Sequence, residues 1–390
     1  MIMLTKFQVK NFKKFNDNLV FDLSKKEDYD FNEEVIRNNN INFTLIYGSN
    51  GSGKSNLGLA IFDILFHITD YPMPQELYEN YLYGNGVLDD KAEFIYNFLF
   101  DNDNIEYRYV KKDNYSLIEE EFKINGKTKI SMNREKKDSY FDIPEGNTLN
   151  MDGFFETNLS LIKYILKNSI IKTVELDKFF QFINKMNWLR SLQKNNYMGY
   201  LLDDNSIVGT ILGINEIEKL DISLYEKEKK YNENLKKLEN FLIEGGIKLD
   251  LIQLERDGQR NIYIKFESPN KLERFIKLWS IISSGTLALL VFYIFYIRIE
   301  KNSLLFIDEF DAFYHYKLTK FIIKKLKEKK NVQVILTTHS TNLMDNELLR
   351  PDCYFILKDN KIKSFPELTD KELREEHNIE KLFKSGVFDD

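Results

Sequence analysis

The chain begins with two stretches in which apolar and polar residues alternate. Leu4 to Phe12 predicts one strand, and Phe15 to Leu23 predicts a second. Ile41 to Tyr47 is instead a short, mostly apolar run that leads into a glycine-rich segment, which predicts a buried parallel strand. From Ser55 to His67 the apolar residues recur at helical spacing, so we expect a helix to begin where the glycine-rich segment ends.

The following region alternates more regularly and predicts an antiparallel sheet. Aromatic residues occupy every second position from Phe94 to Phe100, polar residues interrupt the pattern at 101–104, and the alternation resumes at Ile105. This is the pattern of a β-hairpin. Asn125-Gly126, which lies between two further alternating stretches, predicts another tight turn.

Helical patterns dominate the middle of the chain, and helices and strands then alternate. Residues 155–245 or so predict mostly helices, including the Glu- and Lys-rich segment Ile217–Leu242, which ends before Gly245-Gly246. We interpret this segment as an inserted helical arm, either a solvated amphipathic helix without its own function or a partner surface. The later pattern predicts, in order, strand Ile262–Phe266, helix 285–300, strand Leu304–Ile307, helix 313–329 and strand Val332–Thr337.

These elements predict an α/β fold with a mixed or parallel core sheet, an antiparallel β subdomain and an inserted helical arm. A length of 390 residues fits one large domain with an insertion, or two domains. We predict an N-terminal lobe at residues 1–150, a helical insertion at 151–260 and a C-terminal lobe at 261–390.

Composition narrows the class of protein. Hydrophobic residues make up 43% and charged residues 30%, which indicates a folded chain. The net charge of -6 gives no global signature of a nucleic-acid binder, although a local basic patch stays compatible with it. The single cysteine, Cys353, excludes a disulfide within the chain and fits a reducing cytoplasm.

One stretch, Trp279–Ile297, has the length and apolar character of a membrane span. Small polar residues occupy its first half, from Ser280 to Thr286, so we expect a buried core helix instead. The N-terminus also lacks the long apolar core of a signal peptide. We therefore expect a cytoplasmic protein that does not cross a membrane.

The segment Gly48–Ser55 has the pattern of a phosphate-binding loop, because it follows a predicted buried strand and precedes a predicted helix. Glycines allow the backbone to bend around phosphates with its N–H groups pointing inward. Lys54 would reach the β- and γ-phosphates of ATP, and the Ser55 hydroxyl would bind Mg²⁺. The predicted nucleotide-binding residues here are Gly48, Asn50, Gly51, Ser52, Gly53, Lys54, Ser55 and Asn56.

Two later strands end in polar residues that complete this chemistry. Asp308 ends the strand Leu304–Ile307, where its carboxylate could hold magnesium, and Glu309 is the better-placed general base for an attacking water. His339 follows the strand Val332–Thr337 and could contact the γ-phosphate and orient that water. We predict Lys54, Glu309 and His339 as the catalytic residues.

A third polar group, Ser283-Ser284-Gly285-Thr286, lies at the beginning of the long apolar helix. Small hydroxyl residues and a glycine at a helix N-terminus form an anion site, which explains the polar first half of the membrane-like stretch. A simple helix cap is the other reading of the same residues.

In this order, Gly48–Ser55, Ser283–Thr286, Asp308-Glu309 and His339 resemble the ABC-type ATPases of the SMC, RecF and OLD group. The opening Val9–Phe15 also resembles the first strand of that group. The resemblance implies that Ser283, Ser284 and Gly285 bind the nucleotide, with Ser284 and Gly285 contacting the γ-phosphate held by a second protomer. It further implies that Asp311 lies between two sites, in a homodimer or higher homo-oligomer that closes head to tail on two ATP molecules.

Three segments, Asp308–His315, Thr337–Asp345 and Arg374–Phe383, resemble more narrowly the small ATPases of bacterial abortive-infection and phage-defence systems such as PARIS, Septu and retron-linked ATPases. The resemblance implies a sensor or switch that controls a separate effector, such as a Toprim, HNH or other nuclease or toxin. Only about fifty residues follow His339, too few for a Toprim nuclease within this chain.

The chain departs from the family pattern in two places. No glutamine has a persuasive context for the Q-loop, with Gln75 and Gln181 as the candidates, and the signature lacks the full Leu-Ser-Gly-Gly-Gln form of transporters. The second departure disfavours a transporter subunit. The remaining alternative is a RecF- or SMC-like DNA-binding ATPase, which Lys10, Lys13 and Lys14 allow.

Overall fold

The computed structural model describes residues 2–87, 89–193, 196–201, 209–210, 228–256, 259–267, 270 and 272–389. Its strands are β1 Ile2–Lys10, β2 Leu19–Asp22, β3 Ile36–Arg37, β4 Asn40–Ile41, β5 Phe43–Tyr47, β6 Ala92–Phe100, β7 Asp103–Lys111, β8 Leu117–Ile124, β9 Lys127–Asn133, β10 Asp138–Phe141, β11 Asn187–Gln193, β12 Asn196–Leu201, β13 Gly209–Thr210, β14 Leu251–Arg256, β15 Gln259–Glu267, β16 Glu273–Lys277, β17 Ser303–Asp308, β18 Val332–Thr337, β19 Tyr354–Lys358 and β20 Lys361–Ser364. Its α-helices are α1 Lys54–Ile68, α2 Gln75–Tyr78, α3 Leu161–Asn168, α4 Val174–Asn184, α5 Glu228–Glu244, α6 Ser284–Arg298, α7 Tyr316–Lys327 and α8 Ile379–Lys384.

A central mixed sheet carries the parallel strands. Within the described residues its order is β13-β12-β11-β17-β18-β5-β19-β20. The five strands β11, β17, β18, β5 and β19 run parallel, so their carboxyl ends lie at one edge of the sheet. The mixed α/β fold that the sequence predicts is confirmed, and the glycine loop, Asp308 and His339 all follow strands at this edge.

The antiparallel sheet is also confirmed, with the order β10-β9-β8-β7-β6-β1-β2. The predicted hairpin joins β6 and β7 and closes where Phe100 pairs with Asp103. The predicted turn joins β8 and β9, and Asn125 and Gly126 both have positive φ, 50° and 77°, as a tight hairpin turn requires. β1 begins two residues before the predicted start, at Ile2.

Helix α1 lies between the two sheets, which explains why it is apolar on nearly all sides. On the central side the Phe62 ring lies 5.6 Å from Trp188 of β11. On the antiparallel side Tyr96 Oη donates to the carbonyl of Ala60 at 2.8 Å. The buried Asp63 of α1 accepts a hydrogen bond from Lys111 Nζ at 2.6 Å. This ion pair offsets the free-energy cost of burying the Asp63 carboxylate.

The expected helical insertion contains strands as well as helices, which differs from the prediction for residues 155–245. Strand β11, Asn187–Gln193, belongs to the central sheet and runs parallel to β17. The first part of the predicted arm, 217–227, lies outside the described residues. Its last part forms α5, which ends before Gly245-Gly246 as predicted. The division of the chain at residues 150 and 260 stays a prediction.

Helix α6 is the core helix that the membrane-like stretch predicts. Its residues from Ala288 to Tyr293 are buried, and Phe241 of α5 packs against it, 4.9 Å from the Tyr293 ring. Phe241 also lies 5.1 Å from Phe321 of α7. Within the described residues, none of the helices combines the length and apolar composition that a bilayer crossing requires.

Candidate functional site

Glycines shape the loop between β5 and α1. Gly51 and Gly53 have φ of 73° and 111°, values that residues with a side chain rarely adopt. A Cβ on Gly53 would lie only 3.1 Å from the Phe15 ring. The backbone turns where Ser52 N donates to the Ser49 carbonyl at 3.1 Å. The loop thus ends at the N-terminus of α1, where the first N–H groups of a helix attract anions.

Lys54 is 95% buried at the beginning of α1 and brings two distant segments together. Its Nζ donates to the Gly48 carbonyl at 2.8 Å and to the Ser49 carbonyl at 3.3 Å. It also lies 3.0 Å from Nε2 of His339. An ammonium group can only donate, so in this contact Nε2 accepts and the imidazole proton lies on Nδ1.

The loop fits a phosphate group in two further respects. The Ser52 hydroxyl is buried and has no hydrogen-bond partner within the described residues, so it is available to a polar ligand. A Cβ on Gly48 would meet Ser52 Oγ at 2.4 Å and the Leu357 carbonyl at 2.8 Å, so only glycine allows this close approach.

The two acidic residues are fixed by one threonine. Thr337 Oγ1 donates to Asp308 Oδ1 at 2.7 Å and accepts from the backbone N of Glu309 at 2.8 Å. The Thr337 carbonyl accepts from Phe310 N at 3.1 Å. Glu309 has a positive φ of 51°, and these contacts hold its backbone in that uncommon conformation. The end of β18 therefore positions both carboxylates.

Burial and nearby charge act on the ionisable groups here. Burial lowers the pKa of Lys54, while the carboxylates of Asp308, Glu309 and Asp311 oppose that shift. Burial raises the pKa of Asp311, and a hydrogen bond from Thr338 opposes it. The site therefore holds one buried cation among three carboxylates, a charge pattern suited to phosphate and a divalent metal.

Ser283 caps α6. Its Oγ accepts from Thr286 N at 3.1 Å and lies 2.9 Å from Thr286 Oγ1. A Cβ on Gly285 would lie 3.2 Å from the Phe313 carbonyl, and Tyr314 Oη donates to the Ala288 carbonyl at 2.9 Å. The beginning of α6 thus packs on the segment that follows Glu309.

The other predicted site residues lie in the glycine loop and at the beginnings of α1 and α6. Ser55 and Asn56 lie in the first turn of α1 and Asn50 lies in the loop, while Ser284 is the first residue of α6. The described contacts of Ser283 and Gly285 run to α6 and to the segment after Glu309, not to the glycine loop.

No described contact brings either predicted Q-loop glutamine, Gln75 or Gln181, to this edge of the sheet. Gln181 belongs to α4, donates to Asp177 at 2.7 Å and lines a cavity at the amino ends of β11 and β17. Arg190 of β11 pairs with Asp308, so the strand places the backbone of Gln193 beyond Asp308 at the carboxyl edge. Because the sequence pattern did not predict β11, it did not indicate where Gln193 lies.

Lysines near the N-terminus also contact their own chain. Phe12 and Phe15 form a narrow hairpin, and Lys14 at its tip donates from Nζ to the Gly51 carbonyl. Lys13 donates to the Glu79 carbonyl at 2.7 Å, and Lys10 lies 3.9 Å from Asp89. A DNA-binding role therefore gains no support from these three lysines.

Comparison with known proteins identifies a family that covers most of the chain. The pattern of the family described as "AAA domain, putative AbiEii toxin, Type IV TA system" matches residues 43–345, more than three quarters of the chain. Among solved structures, the chain is similar to the SMC head domain from Thermotoga maritima, with 15% identity and a TM-score of 0.42. That match covers 92% of this chain and 97% of the other. No curated protein matches the sequence.

Proposed function

Because the chain belongs to this AbiEii-type family of AAA domains, we propose that it binds and hydrolyses ATP and uses that cycle to control a separate toxic effector in anti-phage defence. One observation carries the proposal: Lys54, Asp308, Glu309 and His339, from three separate segments, meet at the carboxyl edge of the central sheet. P-loop ATPases need a cation, a metal-binding carboxylate and a general base at one site, and we assign these roles to Lys54, Asp308 and Glu309.

In the proposed reaction, the glycine loop and Lys54 bind the phosphates of ATP. The buried Ser52 hydroxyl and the N–H groups at the beginning of α1 offer donors to the phosphate oxygens. Lys54 would exchange its carbonyl contacts at Gly48 and Ser49 for phosphate oxygens. Such fixed donors cost little reorganisation when negative charge develops on the transferred group.

Ser55 and Asp308 would hold Mg²⁺, which supplies positive charge to the β- and γ-phosphates when bound. Glu309 would accept a proton from the attacking water, since its carboxylate follows Asp308 directly and its backbone is fixed by Thr337. His339 accepts from Lys54 through Nε2 in this structure, so it would donate to the γ-phosphate only once Lys54 has turned to the phosphates and Nε2 carries a proton.

The proposed active form is a homodimer that closes around ATP. Gly285 and the capped beginning of α6 pack on the segment that follows Glu309. A nucleotide bound at the beginning of α6 would therefore contact an element that is packed against the backbone next to the general base. A second protomer's Ser283-Ser284-Gly285 would then complete the site of the first. ATP binding would thereby change the surface of the assembly, which is what an effector could sense.

A paired set of variants tests this function. Wild-type protein is expected to hydrolyse ATP with Mg²⁺ and to form ATP-dependent dimers. Glu309→Gln is expected to bind ATP and remain dimeric while turnover falls about 10²–10⁴-fold, because a general base is lost. Turnover in Glu309→Gln equal to wild type would contradict the assignment and shift the base elsewhere.

The defence role needs a separate cellular test. Cells that carry the gene together with its neighbouring genes would be challenged with phage, and plaque formation compared between wild type and Lys54→Ala. We expect protection only with the wild type, since Lys54 is the buried cation of the site. A protective Lys54→Ala variant would show that ATP does not control the effector.

A further inference from the structure

Strand β16, Glu273–Lys277, lies at the edge of the three-stranded sheet β14-β15-β16. Within the described residues it pairs with β15 on one side, and no strand pairs with its other side. Four of its five residues are exposed, and Phe275 is partly buried. In an edge strand the N–H and C=O groups of alternate residues point away from the sheet, where another strand can pair with them.

One face of this edge carries exposed apolar side chains. Phe266 of β15 pairs with Arg274 of β16, two residues before Ile276. Cross-strand partners and residues two apart share a face, so Phe266 and Ile276 lie on the same side of the sheet. Their side chains are 43% and 40% exposed. Burial of this pair against another surface would remove apolar area from water, which is favourable.

The charges of β16 are complementary to those of a second copy of the same strand. Its sequence is Glu-Arg-Phe-Ile-Lys, with an acid at one end and a base at the other. Antiparallel pairing of two copies about Phe275 uses all five residues and places Glu273 of each copy opposite Lys277 of the other. Parallel pairing in register would place like charges opposite each other, which is destabilising. The charge pattern therefore favours a second copy in the antiparallel direction.

The side chains of β16 can make these contacts. Lys277 is exposed and has no ion pair within the described residues. Glu273 accepts from Lys265 Nζ at 2.5 Å, and the lone pairs of a carboxylate can accept from a second cation as well. Arg274 would lie opposite Ile276 of the second copy, where its aliphatic stem covers the apolar side chain while the guanidinium stays in water.

We propose that two copies of this chain pair through β16, antiparallel about a two-fold axis at Phe275, to form one continuous six-stranded sheet. A two-fold contact makes every interaction twice. Five paired residues from each copy form a small interface, so association is reversible, with a dissociation constant on the order of 10 µM. Nucleotide takes no part in this contact, which is therefore separate from the ATP-dependent closure of the proposed function.

The contact has a consequence for assembly, and this consequence rests on the proposed function. β16 is followed by the turn Leu278–Ser280 and then by Ser283, which caps α6. A protomer that closes on ATP through Ser283–Gly285 could hold one copy through the nucleotide and another copy through β16. ATP would then join β16 dimers into larger assemblies.

Sedimentation velocity of the full-length protein without nucleotide tests the contact, from about 1 to about 100 µM protein. Wild type is expected to shift from monomer to dimer over this range. Lys277→Glu and Glu273→Lys each place like charges opposite each other twice, so each variant alone should associate about tenfold more weakly. In an equimolar mixture, one copy carries two acids and the other carries two bases. The mixture should therefore associate with about the wild-type affinity.

A cysteine cross-link tests the same register without a change of charge at the ends of the strand. Phe275→Cys places two thiols across the two-fold axis, with Cα atoms about 4.5–5.5 Å apart, which is within the range of a disulfide. The native Cys353 is buried, so it does not compete. Oxidation by diamide is expected to give a covalent dimer on a non-reducing gel.

The matched control is Glu267→Cys on β15, which is exposed in the same hairpin. Its counterpart in the second copy would lie three strand spacings away, about 14 Å, which is too far for a disulfide. Wild type that stays monomeric at about 100 µM, a mixture that associates no more tightly than its separate variants, or equal cross-linking at positions 267 and 275 would each overturn the inference. ATP turnover is measured on the same samples, so an inactive protein that still pairs through β16 refutes the proposed function and not this contact.

Discussion

Thr337 is fully buried at the end of β18, and its hydroxyl serves both acidic residues of the site. Replacement of Thr337 by valine keeps the shape of the side chain and removes this hydroxyl. Asp308 then loses a hydrogen bond to a charged group, and Glu309 N loses its acceptor. Hydrogen bonds to charged groups contribute about 1.5–3 kcal/mol, and a donor left unsatisfied costs about 1–3 kcal/mol.

Because Glu309 is only partly buried, the cost of its unsatisfied N–H should lie at the low end of that range, and the two effects should sum to about 2–4 kcal/mol of unfolding free energy. A matched control exists at Thr319 of α7, which is also buried and donates to the carbonyl of His315, the residue before α7. Thr319→Val removes one neutral hydrogen bond and should cost about 1 kcal/mol.

The measurement is urea unfolding followed by tryptophan fluorescence, since Trp188 packs between Phe62 and Phe306 in the central sheet. Turnover is measured in parallel. A displaced Glu309 backbone should lower the ATPase rate about tenfold or more, because small misplacements of a catalytic group are costly. If Thr337→Val is no less stable than Thr319→Val and hydrolyses ATP at the wild-type rate, the hydroxyl does not hold the acidic pair.

Three further outcomes follow from the same geometry. Lys54→Ala should abolish nucleotide binding in calorimetry, whereas Lys10→Ala, whose side chain is half exposed near Asp89, should leave it unchanged. Ser284→Arg should prevent the ATP-dependent rise in light scattering that dimers give, while Ser280→Arg, in the exposed turn before α6, should not. Burial raises the pKa of Asp311, so the stability that its neutral form contributes is present at low pH and is lost as pH rises through that raised pKa. Asp311→Asn should therefore gain stability relative to wild type between about pH 4 and about pH 7, measured as unfolding midpoints.

Local patterns predicted the parts of the site that depend on neighbouring residues. β18 has the predicted bounds, Val332–Thr337, and α1 begins at the end of the glycine loop as expected. A strand that is rich in β-branched residues and ends in polar residues can be predicted without knowing which strands lie beside it. The hairpin of β19 and β20 also carried a local signal that was not used, Asp359-Asn360, whose φ values are both positive.

Long-range pairing accounts for what the sequence did not reveal. Asn187 of β11 pairs with Leu305, and no spacing along the chain indicates such a parallel partner. Without β11, the position of Gln193 at the carboxyl edge could not be recognised. The double role of the Thr337 hydroxyl and the contact of Lys54 with His339 depend likewise on the order of strands in the sheet.

The order of the central sheet has a consequence for synthesis of the protein on the ribosome. β5, which leads into the glycine loop, has β18 and β19 as its neighbours, and both are translated near the end of the described chain. All seven strands of the antiparallel sheet, in contrast, come from residues 2–141, so they can pair much earlier. We expect a nascent chain to carry a folded antiparallel sheet with an unpaired β5, so nucleotide binding begins only after β18 and β19 have been translated.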